Sequence, residues 1–371
     1  MAGKEFDRNI LTFDKLSNRK NKVYADRDLM YPETSLPAPV EVRKSLQDDI
    51  KKAAVAIRAA RSAGKPVILA FGAHTIKNGL APVLIRLMKD GWLTHLATNG
   101  AGIIHDWELA YFGATSEDVR ENLSIGSFGM WQETGFYINL AITIGAYNGL
   151  GYGESVGSMI NAGGLKIPGK DTLFEQLESL KDRDYGRAAS LLDLLNTVDH
   201  FSLKPGFMSV PHQHKKISAQ AAASDLGVPF TGHPMFGHDI IYTHPANCGA
   251  AIGRTAERDF LWFVNSVADM QDGVYLSIGS AVMSPMIFEK ALSMARNAAA
   301  SRGEVIKKFH IFVVDLAESP WNWGKNGEPP AENPAYYLRY CKTFSRCGGI
   351  MRYIQADNRE FLPAILSELQ R

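Results

Sequence analysis

The chain has 371 residues, of which 46% are hydrophobic and 10% aromatic, so it can bury a core of its own. Its 40 basic and 39 acidic side chains nearly balance, which argues against broad electrostatic binding to nucleic acid or to an anionic membrane. The three cysteines are unevenly spaced and indicate free thiols in a reducing compartment. Because the charged start lacks the apolar core of a secretory signal, and the apolar stretches are too short to span a membrane, we expect a cytoplasmic protein that binds a small molecule.

The first half of the chain alternates helical and strand patterns. Residues 1–45 carry many charges and several prolines and are predicted to form an extended arm, a type of segment that often embraces a neighbouring subunit. Residues 46–371 are predicted to form a single domain. A helix from Glu41 to Ala63 precedes the apolar strand Val67–Phe71, and a helix from about Leu80 to Lys89 precedes the strand Leu93–Thr98.

The same alternation of helices and strands continues to the end of the chain. A glycine-rich turn is expected over Asn99–Gly102, and a capping box over Thr115–Asp118 is expected to begin another helix. Further helices are predicted at Thr172–Leu180, Gly186–Val198 and Lys216–Leu226, and further strands at Val274–Ser277 and His310–Asp315. Such alternation predicts an α/β fold of the Rossmann-like type, with a mostly parallel sheet covered by helices on both faces.

Four polar or glycine-rich segments follow predicted strands, where open parallel sheets bind their ligands. They are Gly72–Gly79, Thr98–Asp106, Ser277–Ala281 and Asp315–Glu318. None contains a complete GxGxxG fingerprint, and each by itself also fits a plain tight turn. Their common position after strands nevertheless makes them the candidate ligand-binding segments.

The order of these segments resembles that of the deoxyhypusine synthase family from about residue 65 to the end. Thr98–Gly102 with Asp106 resembles the family's Thr-Thr-Ala-Gly-Gly turn and its acid, and Asp239–His244 resembles the segment in which an aspartate precedes two apolar residues and a histidine. Asp315–Ala317 stands where the family has Asn-Thr-Ala, and Gln355–Asn358 resembles its C-terminal Ala-Asp-Ala motif.

The resemblance implies a Rossmann-like NAD-binding fold in which NAD lies at a subunit interface of a homotetramer. The cofactor contacts that it implies are Thr98, Asn99, Gly100, Gly102, Asp106, Gly279, Ser280, Asp315, Ala317, Ala356 and Asp357.

The family dehydrogenates spermidine with NAD and transfers the aminobutyl group through an imine on an enzyme lysine. The resemblance implies that Asp239 holds the cationic amine, although a helix cap or a buried ion pair would also explain an aspartate here. Arg339–Lys342 loosely matches the family's Ser-Trp-Gly-Lys motif. Lys342 is therefore the candidate for the lysine that forms the imine, and the alternative is an ordinary surface lysine.

The departures from the family concern substrate positions. Ser284–Met286 replaces a histidine pair, the triple glycine is reduced to Gly279–Ala281, and His105 stands where the family has a second acid. The substrate has therefore changed. Histidine suits proton transfer near neutral pH, so His105 is the preferred acid or base, with a structural hydrogen bond as the alternative.

Two further residues are candidates for the catalytic site. His238 directly precedes Asp239 and belongs to the histidines that fall in strand-end segments. Lys77, beside the first strand-end turn, could bind a phosphate or carboxylate or serve as a second candidate nucleophile.

These residues together predict an NAD-dependent enzyme of the deoxyhypusine synthase type that acts on an amine or polyamine. One alternative keeps NAD but uses it for elimination, hydrolysis or condensation of another small molecule, and a remoter one is a regulator that senses NAD. Another is a metal-dependent hydrolase or lyase, because His212 and His214 form a His-x-His pair with further histidines nearby.

Overall fold

The structure is a computed structural model that describes residues 3–32 and 43–371. Residues 33–42, which contain the start of the helix predicted from Glu41, lie outside the described residues. The helices and strands follow one another along the chain as β1 (Val23–Tyr24), α1 (Ala25–Asp28), α2 (Lys44–Ser62), β2 (Val67–Phe71), α3 (His74–Lys77), α4 (Ala81–Lys89), β3 (His95–Thr98), α5 (Gly100–Phe112), β4 (Ala114–Thr115), α6 (Val119–Ser124), α7 (Gln132–Asn148), α8 (Tyr152–Ala162), β5 (Gly164–Ile167), α9 (Lys170–Leu180), α10 (Tyr185–His200), β6 (Gly206–Ser209), α11 (Ala219–Leu226), β7 (Phe230–Gly232), α12 (Gly249–Ala268), β8 (Val274–Ile278), α13 (Met283–Ala300), β9 (His310–Asp315), α14 (Trp323–Asn326), α15 (Arg339–Arg346), β10 (Ile350–Gln355) and α16 (Asn358–Leu369).

The main sheet has six parallel strands in the order β10-β9-β8-β2-β3-β7. From β2 the chain first builds outwards through β3 to β7, and it then returns to the other side of β2 and builds outwards from β8 to β10. This is the Rossmann strand order, with its reversal between β2 and β8. The α/β fold predicted from the sequence is therefore confirmed.

Side chains of the central strand β2 enter two separate cores, one on each face of the sheet. Val67, Leu69 and Phe71 join the core that includes α2, whereas Ile68 and Ala70 join the core that includes α12 and α13. Successive side chains of a strand point to opposite faces, so a strand covered on both faces must be apolar throughout. This explains why the uninterrupted apolar run of β2 predicts its bounds so well.

The residues of the predicted arm that the structure describes lie against their own chain. β1 pairs with β4, Leu16 is buried, and Arg8 donates to the side chain of Asn247 at 3.2 Å. Contact of this segment with a neighbouring subunit stays a prediction. Within residues 3–32 and 43–371, no helix is both long and apolar enough to cross a membrane.

One predicted turn and one predicted helix start differ from the structure. The glycine-rich segment after β3 is the first turn of α5, because the Asn99 side chain caps the helix by accepting from the Gly102 amide at 3.0 Å. The helix that the capping box at Thr115–Asp118 was predicted to begin starts three residues later, with Asp118 instead of Thr115 as its cap. Asp118 caps α6 by accepting from the Glu121 amide at 3.0 Å, while Thr115 lies in β4.

Candidate functional site

The carboxyl ends of the sheet strands form one polar edge. Phe71 of β2 pairs with Thr98 of β3 and with Ile278 of β8, and Gln355 of β10 pairs with Asp315 of β9. The parallel register therefore brings most of the predicted cofactor residues to this edge, namely Thr98–Gly100, Gly279, Ser280, Asp315, Ala317, Ala356 and Asp357. Whether they contact a dinucleotide stays a prediction.

At the strand-order reversal, the turns that follow β2 and β8 are in direct backbone contact. The Gly72 amide donates to the Ile278 carbonyl at 3.1 Å, and a Cβ added at Gly72 would collide with the carbonyl oxygen of Gly279. Gly279 has a φ of +54°, a conformation that other residues rarely adopt. Glycine at both positions permits this close backbone contact at the strand-order reversal, which is where open α/β sheets of this order bind their ligands.

The start of α5 is packed closely on the end of β3. The Thr98 hydroxyl donates to the Phe71 carbonyl at 2.9 Å, and a Cβ at Gly102 would collide with the Thr98 hydroxyl oxygen. Thr98 and Gly102 thus fix the entry of α5, and the amino end of this helix lies at the sheet edge. An amino end of a helix favours negative charge.

Asp106 lies one turn further along α5 and is 1% exposed. Its carboxylate accepts from the Ser218 hydroxyl at 2.6 Å, the Ala219 amide at 2.8 Å and the Gln220 side chain at 2.9 Å. Burial raises the pKa of Asp106 despite these donors. The carboxylate therefore holds the amino end of α11 against α5, and its predicted cofactor contact would have to compete with these bonds.

Two acids lie at the opposite end of the edge. Asp315 accepts from the Ala317 amide at 3.2 Å through Oδ1, and Asp357 caps α16 by accepting from the Arg359 amide at 2.7 Å through Oδ1. Both residues are half-buried. The four strand intervals that separate β10 from β3 span about 19 Å. The acids and the amino end of α5 thus lie at the two ends of an elongated edge.

A cavity of about 220 Å³ lies between α3, α5 and the segment that follows β7. Lys77, His105, His238 and Asp239, four of the five predicted catalytic residues, all line it. We call this the Lys77 cavity. A larger cavity of about 380 Å³ beside Trp262 contains none of the predicted site residues.

Lys77 is the last residue of α3 and is half-buried. Burial, followed by the positive charge of Lys22, lowers the pKa of its amine. A lowered pKa increases the fraction of neutral amine at neutral pH, which is the form that can act as a nucleophile.

His105 has a defined tautomer. Its Nδ1 lies 2.8 Å from the Thr115 hydroxyl, and that hydroxyl donates its single proton to Glu108 at 2.5 Å. Thr115 can then only accept from His105, so Nδ1 carries the ring proton and Nε2 is unprotonated. Burial lowers the pKa of His105 to about 4, which keeps the ring neutral at neutral pH. His105 therefore has one nitrogen available as a base.

A buried ion pair supports this histidine. Arg19 donates to both oxygens of Glu108 at 2.7 and 2.8 Å, and each side chain is 1% exposed. Burial alone would raise the pKa of Glu108, but the charge and hydrogen bonds of Arg19 outweigh burial and lower it. Neither residue was predicted from the sequence, although a second acid close to Asp106 in the mostly apolar α5 is a signal that could have identified Glu108.

Ser116 also lines the cavity and was missed. It is 8% exposed and has a φ of +67°. A residue other than glycine rarely adopts this backbone conformation, and such residues are concentrated at functional sites.

Asp239 carries a carboxylate with an unusual environment. Burial raises its pKa to about 7. Its Oδ2 is buried and has no hydrogen-bond partner, and a Cβ at Gly100 would collide with this atom. Asp239 occupies the cap position of a short 3-10 helix, Ile240–Thr243, but makes no side-chain capping bond. The carboxylate is thus available to a cation, whereas the neighbouring His238 is exposed.

Lys342 does not line the Lys77 cavity. Its ammonium lies 3.3 Å from the centre of the Tyr336 ring and 4.0 Å from a carboxylate oxygen of Glu328. These two partners accommodate its charge, which is the environment of a structural lysine. Formation of an imine at Lys342 stays a prediction.

The histidine-rich segment does not form a metal cluster within the part of the chain that the structure describes, where no group of three or more His, Cys, Asp or Glu residues is arranged to hold a metal ion. The His212 ring instead packs edge-on against Trp107 and Tyr111. The described residues provide no ligand set for the metal-dependent alternative.

Comparison of the sequence with protein-family models and with curated proteins finds no match. Solved structures with a similar arrangement include ArgZ, an arginine dihydrolase from the ornithine-ammonia cycle in Cyanobacteria, at 14% identity over 89% of this chain and 33% of that chain, with a TM-score of 0.42. AgrE in a ternary complex with ornithine and NAD+ matches at 13% identity over 89% of this chain and 34% of its own, with a TM-score of 0.43. A candidate deoxyhypusine synthase from Entamoeba histolytica matches at 9% identity over 88% and 89%, with a TM-score of 0.40. The chain spans about a third of the length of ArgZ and AgrE. These similarities are distant, and none of them assigns an activity to this chain.

Proposed function

We propose that this protein is an enzyme that binds a nicotinamide dinucleotide along the carboxyl edge of the sheet and acts on an amine in the Lys77 cavity. The observation that carries the proposal is the convergence of Lys77, His105, His238 and Asp239 in one cavity beside that edge. The four residues come from three segments of the chain.

The edge fits a dinucleotide by its own geometry. The contact between Gly72 and Gly279 lies at the strand-order reversal, the position at which doubly wound sheets bind a pyrophosphate. Asp315 and Asp357 can accept hydrogen bonds from ribose hydroxyls at one end of the edge. The other end of the edge, at Gly100, adjoins the Lys77 cavity through Asp239. The nicotinamide ring of the dinucleotide would bind at this end.

The chain's own residues would bind and deprotonate an amine. When bound, the dinucleotide would supply two-electron oxidation of a carbon–nitrogen bond. Asp239 would hold a cationic amine, and this partner would lower the pKa of the carboxyl from its raised value because an opposite charge favours the ionised form. The unprotonated Nε2 of His105 would accept a proton from the substrate nitrogen.

A finer proposal, which the resemblance to deoxyhypusine synthases supports, is aminoalkyl transfer through an imine on Lys77. The neutral Lys77 amine would add to the carbon of the substrate's protonated C=N bond. The bond from that carbon to the departing amine would then break, and His105 would carry one proton from Lys77 to the departing amine, which would leave neutral. The aminoalkyl fragment would remain on Nζ as a protonated imine. Lys77 is preferred to Lys342 because only Lys77 lines the cavity.

Borohydride trapping tests this proposal. The protein is incubated with NAD+ and spermidine, reduced with borohydride and analysed by intact mass spectrometry, while calorimetry measures NAD+ binding separately. We expect an aminoalkyl adduct in the wild type and in the matched control Lys342→Met, and its loss in Lys77→Met. An adduct that depends on Lys342 would overturn the assignment to Lys77. Absence of NAD+ binding would overturn the function itself, and bound NAD+ without any amine adduct would favour the elimination or condensation alternative.

A further inference from the structure

A cavity of about 640 Å³ lies where the carboxyl end of α7 and the amino end of α10 meet the middle of α12. We call it the arginine cavity, because Arg187, Arg254 and Arg258 all line it. It contains none of the residues predicted from the sequence as catalytic or cofactor-binding, and it shares no lining residue with the Lys77 cavity. Three guanidinium groups around one cavity indicate an anion as its ligand.

Two helices supply the three arginines. Arg254 and Arg258 are four residues apart in α12, so their side chains lie one above the other on the same face. Arg187 lies in the first turn of α10, which packs against α12. The packing of α10 on α12 therefore brings a third positive charge to the pair on α12.

Contacts with the protein orient both arginines of α12 and leave most of their donors unused. Arg258 donates from Nη1 to the Leu150 carbonyl at 2.7 Å, and Arg254 donates from Nε to a carboxylate oxygen of Asp193 at 3.4 Å. A guanidinium group has five N–H donors, so each retains others for a ligand. Groups that are already oriented lose less conformational entropy when they bind.

Arg187 differs from the other two because its side chain is not held. The residue is exposed, and its guanidinium group forms no ion pair or hydrogen bond with the described residues. An anion in the cavity would therefore not have to displace a protein partner from this side chain.

Two acids also line the arginine cavity and oppose an anion. The Asp184 carboxylate caps α10 by accepting from the Arg187 amide at 2.9 Å, and the amino end of that helix offsets its charge. Glu257 is exposed and forms no ion pair within the described part of the chain. Glu257 therefore weakens the attraction that the three arginines exert, and its removal should strengthen it.

We propose that the arginine cavity binds a phosphomonoester, a small organic molecule that carries one phosphate group. This inference goes beyond the proposed function, because the cavity is separate from the sheet edge and from the Lys77 cavity. A phosphomonoester has nearly two negative charges and three acceptor oxygens at neutral pH, which suits several guanidinium groups better than a carboxylate does. The cavity is larger than a phosphate group alone would fill, and Tyr147 and Ala146 on its wall can contact the organic part.

Calorimetry at constant ionic strength, with chloride as the background anion, tests the site. We expect the wild type to bind glycerol phosphate, to bind inorganic phosphate more weakly and not to bind glycerol. No binding of glycerol phosphate would overturn the site, and equal or tighter binding of inorganic phosphate would overturn its assignment to a phosphomonoester. Arg187→Gln should weaken binding of glycerol phosphate about tenfold, because hydrogen bonds to a charged group are the stronger class. The melting temperature of the ligand-free variant should not change, since Arg187 has no partner to lose.

Two further variants distinguish a specific site from a general effect of charge. Glu257→Gln should strengthen binding about threefold, because it removes a like charge from the cavity wall. Arg302→Gln is the matched control, since Arg302 is exposed, pairs with Glu304 at 2.7 Å and lies outside the cavity. It changes the net charge by the same amount as Arg187→Gln and should bind glycerol phosphate as the wild type does. Equal loss of affinity in the two arginine variants would overturn the site.

NAD+ also carries phosphate groups, so competition separates the arginine cavity from the proposed dinucleotide site. Saturation with NAD+ should leave the affinity for glycerol phosphate unchanged, and Arg187→Gln should bind NAD+ as the wild type does. If NAD+ displaces glycerol phosphate and Arg187→Gln has no effect, the inference is wrong and the dinucleotide site stands. If glycerol phosphate binds through the arginines but NAD+ does not bind, the proposed function is wrong and the arginine cavity stands.

Discussion

The stability of Asp239→Asn should differ from that of the wild type only above acidic pH. Asparagine has the shape of a protonated aspartic acid but does not ionise. Burial raises the pKa of Asp239 from 3.8 to about 7 in the folded protein. Below pH 4 the carboxyl is protonated in both states, and the substitution removes no charge. As pH rises from 4 to 7 the unfolded chain loses the proton while the folded protein keeps it, so the wild type loses stability.

The size of the effect follows from this difference in pKa. A shift of about three units corresponds to about 4 kcal/mol as an upper limit. Asp239 is only partly buried, and the amino end of α5 at Gly100 partly favours its charge. We therefore expect Asp239→Asn to be more stable than the wild type by about 2 kcal/mol at pH 8 and by about 0 kcal/mol at pH 4.

Urea unfolding followed by circular dichroism at pH 4, 6 and 8 measures this difference. Asp182→Asn, at an exposed aspartate on the surface, is the matched control and should follow the wild type at each pH. A constant difference between Asp239→Asn and the wild type across this range would refute the reasoning, because it would mean that Asp239 has the same pKa in both states.

Two further substitutions test the support of the site. Gly72→Ala should destabilise the protein by about 1–3 kcal/mol in urea unfolding and weaken NAD+ binding, because the new Cβ collides with the Gly279 carbonyl. Gly253→Ala, in an exposed part of α12 with no atom near the new Cβ, should instead stabilise by up to about 1 kcal/mol, and equal effects of the two would contradict the collision. Arg19→Met should cost about 3–5 kcal/mol because it leaves the buried Glu108 carboxylate unpaired. Adding Glu108→Gln to Arg19→Met should restore much of the loss; no recovery would mean that the unpaired charge is not the cause.

The central strands could be predicted from the sequence, whereas the edge strands could not. β2 is an uninterrupted apolar run because both of its faces are covered. β7 and β10 lie at the two edges of the sheet. β7 has only three residues, and β10 carries Arg352, which bonds to Asp49 at 2.8 Å. Edge strands are often short or carry charged side chains, so the apolar pattern that identifies a central strand is missing.

Four residues that line the Lys77 cavity were named as candidates from the sequence, but their arrangement was not predicted. Lys77 and His105 were identified because they follow strands, and strand ends of a parallel sheet share one edge. The support of His105 by Arg19 depends on a contact between residues 89 positions apart, which no local pattern records. The arginine cavity was missed for the same reason, since only tertiary packing brings Arg187 and Arg258 together.

The hydrogen-bonded series from Arg19 through Glu108 and Thr115 to His105 affects when the site can form during synthesis. Arg19 leaves the ribosome 89 residues before Glu108 does, an interval on the order of ten seconds at usual rates of translation. β1 likewise cannot pair until its partner strand β4 has been synthesised. The first segment of the nascent chain must therefore remain undocked, and its buried arginine solvated, until α5 has been made. Because such non-local contacts form slowly, refolding should restore helical content before it restores the environment of His105.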